Sequence, residues 1–255
     1  MGNILNTVVF HPPMPSYSFD DPHLHMFPTK AGHKIAAYYV KHRTARFTIL
    51  YSHGNAEDIG DVACSLMNRI AKWNANVFLY DYSGYGLSEG VPSEHNVYMD
   101  VEAAYDYLTS VLGVNPHTIV AYGRSIGSGP TVHIALKRSV LGVVLQSPIS
   151  SVYKVKVYRL PCTIPGDMFR NEDKVDRINV PTLILHGTKD NVVPISISQS
   201  MALTMQRVYG RWINGAGHDD MDTTFALYVD QALQEFYDII CPRTTISNIP
   251  KDTAT

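Results

Sequence analysis

Three residues in this chain could do acyl chemistry together: Ser125, Asp190 and His218. Ser125 lies in "YGRSIGSGP" (122–130), with Gly123 and Gly127 two residues to either side, directly after the apolar run "TIVA". A serine held between glycines at the corner from a strand into a helix is pushed clear of the backbone as a nucleophile. Both neighbours must be glycine where strand and helix come too close for a Cβ, and the helix N-terminus favours negative charge developing beside the hydroxyl. The hydroxyl needs a base, and the base needs a carboxylate to fix its tautomer. Asp190 follows "PTLILHGTK" and His218 ends "RWINGAGH", so each comes just past a strand, in the order Ser, Asp, His. Asp219 and Asp222 are alternatives to Asp190, but they lie too near His218 in sequence to approach it from a neighbouring strand. His53 and His186, both in "HG" steps at strand ends, are rival bases read as structural. A second oxyanion donor is expected from the loop after "TILYSHG", where the backbone N–H of Asn55 can join that of Ile126.

The elements that must position these residues are legible as an alternation. Segments 35–41, 48–54, 77–84, 118–123, 142–148 and 181–187 read as strands, and 211–215 as a weaker one. Several are apolar on both faces, as central strands under helices are. Helical patterns fill 57–73, 93–113, 126–138, 196–208 and 223–240, and Gly113 ends the second. This order predicts an α/β fold, a mostly parallel, doubly wound sheet with its active edge at the carboxyl ends of the strands. The expected organisation is an N-terminal arm over 1–22, a catalytic domain over 23–240 and a C-terminal tail over 241–255.

Bulk properties exclude several other functions. The 255 residues carry a net charge of −2 without a basic run, so nucleic acid is not an expected partner. Three scattered cysteines, Cys64, Cys162 and Cys241, form neither a disulfide framework nor a metal pair. "GYGLSEG" (84–90) is one residue too long for a dinucleotide fingerprint and reads as a turn, and no P-loop is present. His23 and His25 lack a third ligand, so no metal and no cofactor is expected. No apolar stretch approaches the ~18 residues that span a bilayer, and the N-terminus lacks the basic region of a secretory signal.

The motifs "FHPPMPSY", "SHGNAEDIG", "YDYSGYGLSEG", "YGRSIGSGPT", "LILHGTKDNVV" and "GAGHDD" resemble the α/β-hydrolase superfamily from about residue 23 to 240. More narrowly they resemble the α/β-hydrolase-domain-containing protein 17 family, serine hydrolases that remove palmitate from membrane-associated proteins. The resemblance implies an α/β-hydrolase fold of about eight strands with a minimal cap, and a triad of Ser125, Asp190 and His218. Only about thirty residues separate the strands ending near 148 and starting near 181. Among them Ile149, Val152, Tyr153, Leu160, Met168 and Phe169 suit an apolar acyl groove open to a chain attached to a bulky protein.

The expected activity is hydrolysis of an acyl ester or thioester, on an acylated protein or a small acyl ester. A peptidase, a small-ester carboxylesterase and a catalytically silent binding protein are the alternatives. Animal members of the family carry an N-terminal cysteine cluster, whereas the first 63 residues here contain no cysteine. Gly2 follows Met1, but Asn6 stands where a myristoylation signal prefers Ser or Thr, and no Lys or Arg precedes Lys30. The expectation is a cytoplasmic protein that visits membranes reversibly, as a single acyl chain allows.

Overall fold

The computed structural model describes residues 2–156 and 165–242. Eight strands form one sheet: β1 (Leu24–Pro28), β2 (Lys34–Val40), β3 (Phe47–Ser52), β4 (Ala75–Tyr80), β5 (Ile119–Arg124), β6 (Gly142–Gln146), β7 (Thr182–Gly187) and β8 (Val208–Ile213). Their spatial order is β1-β2-β4-β3-β5-β6-β7-β8, antiparallel at the first two pairings and parallel from β4 through β8. Every residue of β3, β6 and β7 is buried, because helices cover both faces of the sheet.

Helices α2 (Ile59–Trp73) and α7 (Ala226–Ile240) cover one face, burying Leu66, Ile70, Trp73, Leu233 and Phe236 against Ile49, Val77 and Leu183. Helices α3 (Glu94–Asp106), α4 (Ser128–Lys137) and α6 (Ile195–Thr204) cover the other, over Leu50, Phe78, Ala121 and Ile184. Local signals set the helix ends. Asp58 caps α2, accepting from the Gly60 and Asp61 N–H groups at 3.1 Å each, and Asn74 closes it in the left-handed region at φ 51°. Ser93 caps α3. That helix widens into a π turn over Tyr107–Val111 before Gly113, at φ +71°, ends it where the sequence expects.

Strand β1 was not among the segments the sequence marks as strands. It is a short edge strand ending in Pro28, a residue tolerated only where no ladder hydrogen bond is needed. His23 precedes it, and His25 within it bonds the Tyr107 hydroxyl at 3.1 Å. The first 22 residues, expected as an arm, contain helix α1 (Gly2–Val9) and dock on the domain. Phe10 is buried, Ser16 N–H donates to Asp58 at 2.6 Å, and the Tyr17 hydroxyl bonds Asp81 and accepts from the Leu87 N–H at 3.0 Å. Most of the tail expected over 241–255 lies outside the described residues.

One buried acid sits behind the turn that follows β4. Burial pushes the Asp100 carboxyl up to about 7, opposed by hydrogen bonds from the Ser83 N–H (2.7 Å) and hydroxyl (2.8 Å). The folded chain therefore keeps a proton that the unfolded chain releases from about pH 4 upward, so this group's contribution falls as pH rises to about 7 and then levels off. Asp100→Asn should flatten that slope in urea unfolding and gain about 2 kcal/mol at pH 8. The gain stays below the full titration difference because the amide replaces one of the two carboxylate oxygens that accept from Ser83 with a donor.

Candidate active site

The site is assembled from loops that leave the carboxyl ends of β3, β5, β7 and β8. At the end of β5 the chain turns through a single 3₁₀ turn (Ser125–Gly127) into α4, and Ser125 sits at φ +53°, in the left-handed region. The flanking glycines are obligatory. A Cβ on Gly123 would stand 2.4 Å from the Gly127 carbonyl oxygen, and one on Gly127 would stand 2.2 Å from the Ser52 carbonyl oxygen at the end of β3. The elbow is therefore wedged directly against the strand that leads into the Asn55 loop.

His218 Nε2 stands 3.1 Å from Ser125 Oγ, and its Nδ1 stands 2.8 Å from Asp190 Oδ2. The Asp190 side chain is fully buried. Burial opposes its ionisation, but hydrogen bonds from His186 and His218 and from the Val193 N–H outweigh that and hold the carboxyl well below the usual range. An ionised carboxylate only accepts, so Nδ1 of His218 carries its proton and Nε2 is left to accept from the serine hydroxyl. Asp190 Oδ1 also accepts from the N–H groups of Val192 and Val193 at 2.9 and 2.8 Å, which fixes the loop after β7.

The rival bases are spoken for elsewhere. His186 is wholly buried, with Nδ1 2.6 Å from Ser198 Oγ and Nε2 shared between the Val193 carbonyl (2.9 Å) and Asp190 (3.2 Å). It reaches the same Oδ2 oxygen of Asp190 that His218 uses. His53 faces Asp81 at 3.2 Å and its own loop's Gly54 carbonyl at 2.7 Å. The alternative acids are engaged too: Asp222 with Arg69 (2.6 Å) and Gln146 (2.6 Å), Asp219 with Arg124 (3.3 Å).

A cleft of about 700 Å³ opens beside Ser125, with Asn55 and Ile126 in its lining. The Asn55 backbone N–H donates to nothing among the described residues, as an oxyanion donor must be free to receive its ligand. Of the expected groove residues, Ile149, Val152 and Tyr153 line this cleft. Met168 and Phe169 do not. Phe169 adopts φ +53° and is buried between Phe10, Tyr98 and Gly129, so it shapes the wall from behind. Leu160 lies outside the described residues. Sequence reading missed Val155, Val192 and Val193, and the N-terminal Val8, Val9 and His11, all of which line the cleft. For the N-terminal pair a signal existed: Ile4, Leu5, Val8 and Val9 repeat at helical spacing.

Arg124 was also missed. Its guanidinium pairs with Glu57, donates to the His218 carbonyl at 3.2 Å and reaches Asp219. Glu57 in turn accepts from the Gly54 N–H at 2.6 Å, one residue before Asn55. One side chain thus ties the elbow to both the Asn55 loop and the His218 loop. Burial works against its charge, but the carboxylates of Glu57, Asp222 and Asp219 more than compensate, so the guanidinium stays charged. Arg124→Met should cost about 3–5 kcal/mol in denaturant unfolding by stranding these carboxylates. It should also lower small-ester hydrolysis by about a hundredfold through displacement of the two loops. Arg124→Lys should recover only part of either, since an ammonium lacks the fork that spans both.

Comparison with known proteins agrees with this architecture. The Hydrolase_4 family, described as serine aminopeptidase S33, matches residues 43–169. The chain is 38% identical over 208 residues to human alpha/beta hydrolase domain-containing protein 17B, covering 81% of this chain and 72% of the relative. It is 40% identical to the 17C protein of Xenopus tropicalis over 191 residues, 74% of this chain and 61% of that protein. Its fold superposes on the Pyrococcus furiosus esterase Pf2001 with a TM-score of 0.73 at 15% identity, covering 91% of this chain and 98% of the esterase. Est1E of Butyrivibrio proteoclasticus, solved with ferulic acid bound, gives 0.70 at 18% identity, over 86% and 100% of the two chains. At such low identity the structural matches speak for the fold alone. With an eight-stranded hydrolase sheet and this level of identity across most of its length, the chain is an α/β hydrolase and belongs to the alpha/beta hydrolase domain-containing protein 17 family.

Proposed function

We propose that the protein is a serine hydrolase that cleaves acyl esters or thioesters through an acyl-enzyme on Ser125, acting as a palmitoyl-protein thioesterase-like enzyme. The observation that carries this reading is the unbroken relay from Ser125 Oγ through His218 to a buried, ionised Asp190, opening onto a largely apolar cleft. In the proposed reaction His218 takes the hydroxyl proton as Ser125 attacks the acyl carbon, and the N–H groups of Asn55 and Ile126 hold the resulting oxyanion. The tetrahedral intermediate collapses to an acyl-enzyme and expels the alkoxide or thiolate, to which His218 returns the proton. Water, deprotonated by the same imidazole, then attacks the acyl carbon, and His218 returns the proton to Ser125 Oγ as the acid leaves. Asp190 keeps the imidazole in the required tautomer and stabilises its charged form.

An acyl substrate fits the cleft better than a peptide's free amine. Aliphatic side chains from the cap segment α5 (Val152–Lys156) and the Asp190 loop dominate the walls near the serine. Of the two carboxylates in the lining, Glu57 is committed to Arg124, and Asp219 also contacts it. The volume lies within the range of small-molecule sites generally. The described part of the cap contains one short α-helix, α5, and a 3₁₀ turn over Val175–Arg177, and a chain attached to a protein surface is proposed to approach the cleft. Association with membranes is proposed to be reversible and to run through the apolar N-terminal helix, where Val8 is two-thirds exposed. Among the described residues no helix is long and apolar enough to cross a membrane.

A fluorophosphonate probe should label the folded protein at Ser125 and fail on Ser125→Ala; no labelling of folded wild-type chain would favour a silent binding protein. Ser125→Ala and His218→Ala should abolish p-nitrophenyl ester hydrolysis to similar degrees, since the residues work as a unit. Asp190→Asn should lower kcat by about 10⁴-fold, and retained activity would remove Asp190 from its assigned role. Across an ester series, kcat/KM should rise with acyl length by up to about fourfold per buried methylene, the equivalent of ~0.8 kcal/mol. A flat profile beyond butyryl would indicate a small substrate instead.

A further inference from the structure

We infer that residues 8–11 form a wall of the acyl-binding cleft, and that the Asn55 side chain couples the docking of this segment to the oxyanion hole. The inference rests on the acyl-cleft reading above and extends it to a part of the chain outside the hydrolase core. Val8, Val9 and His11 line the same cleft as Ser125 and Val152. Between them Phe10 turns inward, 4% exposed, and meets the Phe169 ring edge-on at 6.0 Å. The segment is therefore anchored beneath while its valines stay available to the cleft.

Asn55 supplies the second attachment. Its Nδ2 donates to the Val9 carbonyl at 2.8 Å, while Oδ1 accepts from the His11 N–H at 3.1 Å and from the Tyr85 hydroxyl at 2.7 Å. The His11 N–H also reaches Tyr85 at 3.2 Å, so amide, phenol and segment close a ring of hydrogen bonds. A backbone N–H contact on one side and a backbone carbonyl on the other fix which way the amide points. Every polar group of this side chain is used on or beside the N-terminal segment, while its backbone N–H, the proposed oxyanion donor, donates to nothing among the described residues. Loss of the segment would remove two of the amide's partners together with the cleft wall. Whatever holds the N-terminus, such as a lipid surface, would then act on both chain-length selectivity and turnover.

The full-length chain tests this with p-nitrophenyl acetate and dodecanoate. In Val8→Asn/Val9→Asn the dodecanoate-to-acetate ratio of kcat/KM should fall about tenfold, the worth of two methylenes losing an apolar wall. Asn55→Ala keeps its backbone N–H but should lower both that ratio and acetate kcat, and Asn55→Asp should do the same because it loses the donor to Val9. An unchanged ratio in the folded double variant would overturn the wall, and an Asn55→Ala enzyme with wild-type acetate kcat would overturn the coupling. Should the variants fail to fold, a dodecyl fluorophosphonate bearing a diazirine on its chain is applied to the wild-type protein. Crosslinks are expected on residues 8–11, and crosslinks confined to 152–155 would refute the wall. Probe labelling of Ser125 with unaltered selectivity in the variants would sink this inference alone, whereas absent labelling would sink the hydrolase reading beneath it.

Discussion

The turn at Ser125 is the constraint on which the rest of the site depends. Its left-handed backbone is costly for a residue with a Cβ, on the order of 1 kcal/mol or more, and persists only because the surroundings leave no alternative. Those surroundings are backbone atoms. Gly127 sits against the carbonyl of Ser52 and Gly123 against that of Gly127, so β3, β5 and α4 meet with no side chain between them. This contact sets the distance between the serine and the Asn55 loop. It also places Ser125 at the start of α4, where the hydroxyl of Ser128 bonds the Ser125 carbonyl at 2.6 Å and accepts from Asn171 at 3.1 Å and from the Ile149 N–H at 3.2 Å. The cap is thus seated on the elbow through one buried hydroxyl.

Charge is distributed around this turn in two separate groups. Asp190 is buried with two histidines and two backbone N–H groups, enough partners to keep it ionised despite losing water. As Asp190 restrains His218 by accepting from its Nδ1–H, His186 restrains Asp190 by occupying an acceptor direction on Oδ2. On the other side Arg124 gathers Glu57, Asp219 and the His218 carbonyl, and Asp222 passes the chain of charge on to Arg69 and Asp230 behind the sheet. A buried pair of this kind is weak evidence for net stability. Both groups converge on the loop that carries His218.

The N-terminal segment extends the same economy outward. Ser16 and Tyr17 bond the carboxylates of Asp58 and Asp81, one capping α2 and the other facing His53 at the root of the Asn55 loop. Residues 9–11 then bond the Asn55 side chain itself. A stretch outside the sheet is in this way attached at two levels to the loop proposed to hold the oxyanion.

How much of this was readable beforehand follows from the range of the forces involved. The Ser, Asp and His positions were legible because each is tied to a strand end, and strand ends are marked by local pattern: a buried apolar run followed by glycine or a polar turn. The G-x-S-x-G spacing likewise records a steric demand between residues close in sequence. The same local rules found seven of the eight strands, missing only β1, whose terminal proline and edge position weaken the pattern. What the sequence could not decide is which side chains share a space when they come from distant segments. Phe169 and Met168 are apolar and lie in the right interval, yet a left-handed backbone turns Phe169 into the core, while valines from residues 8–9 and 192–193 line the cleft instead. Arg124 and Asn55 read locally as a strand-end cation and a loop amide. Only the tertiary structure makes them connectors, because a long polar side chain finds its partners by three-dimensional proximity and leaves no periodic trace along the chain.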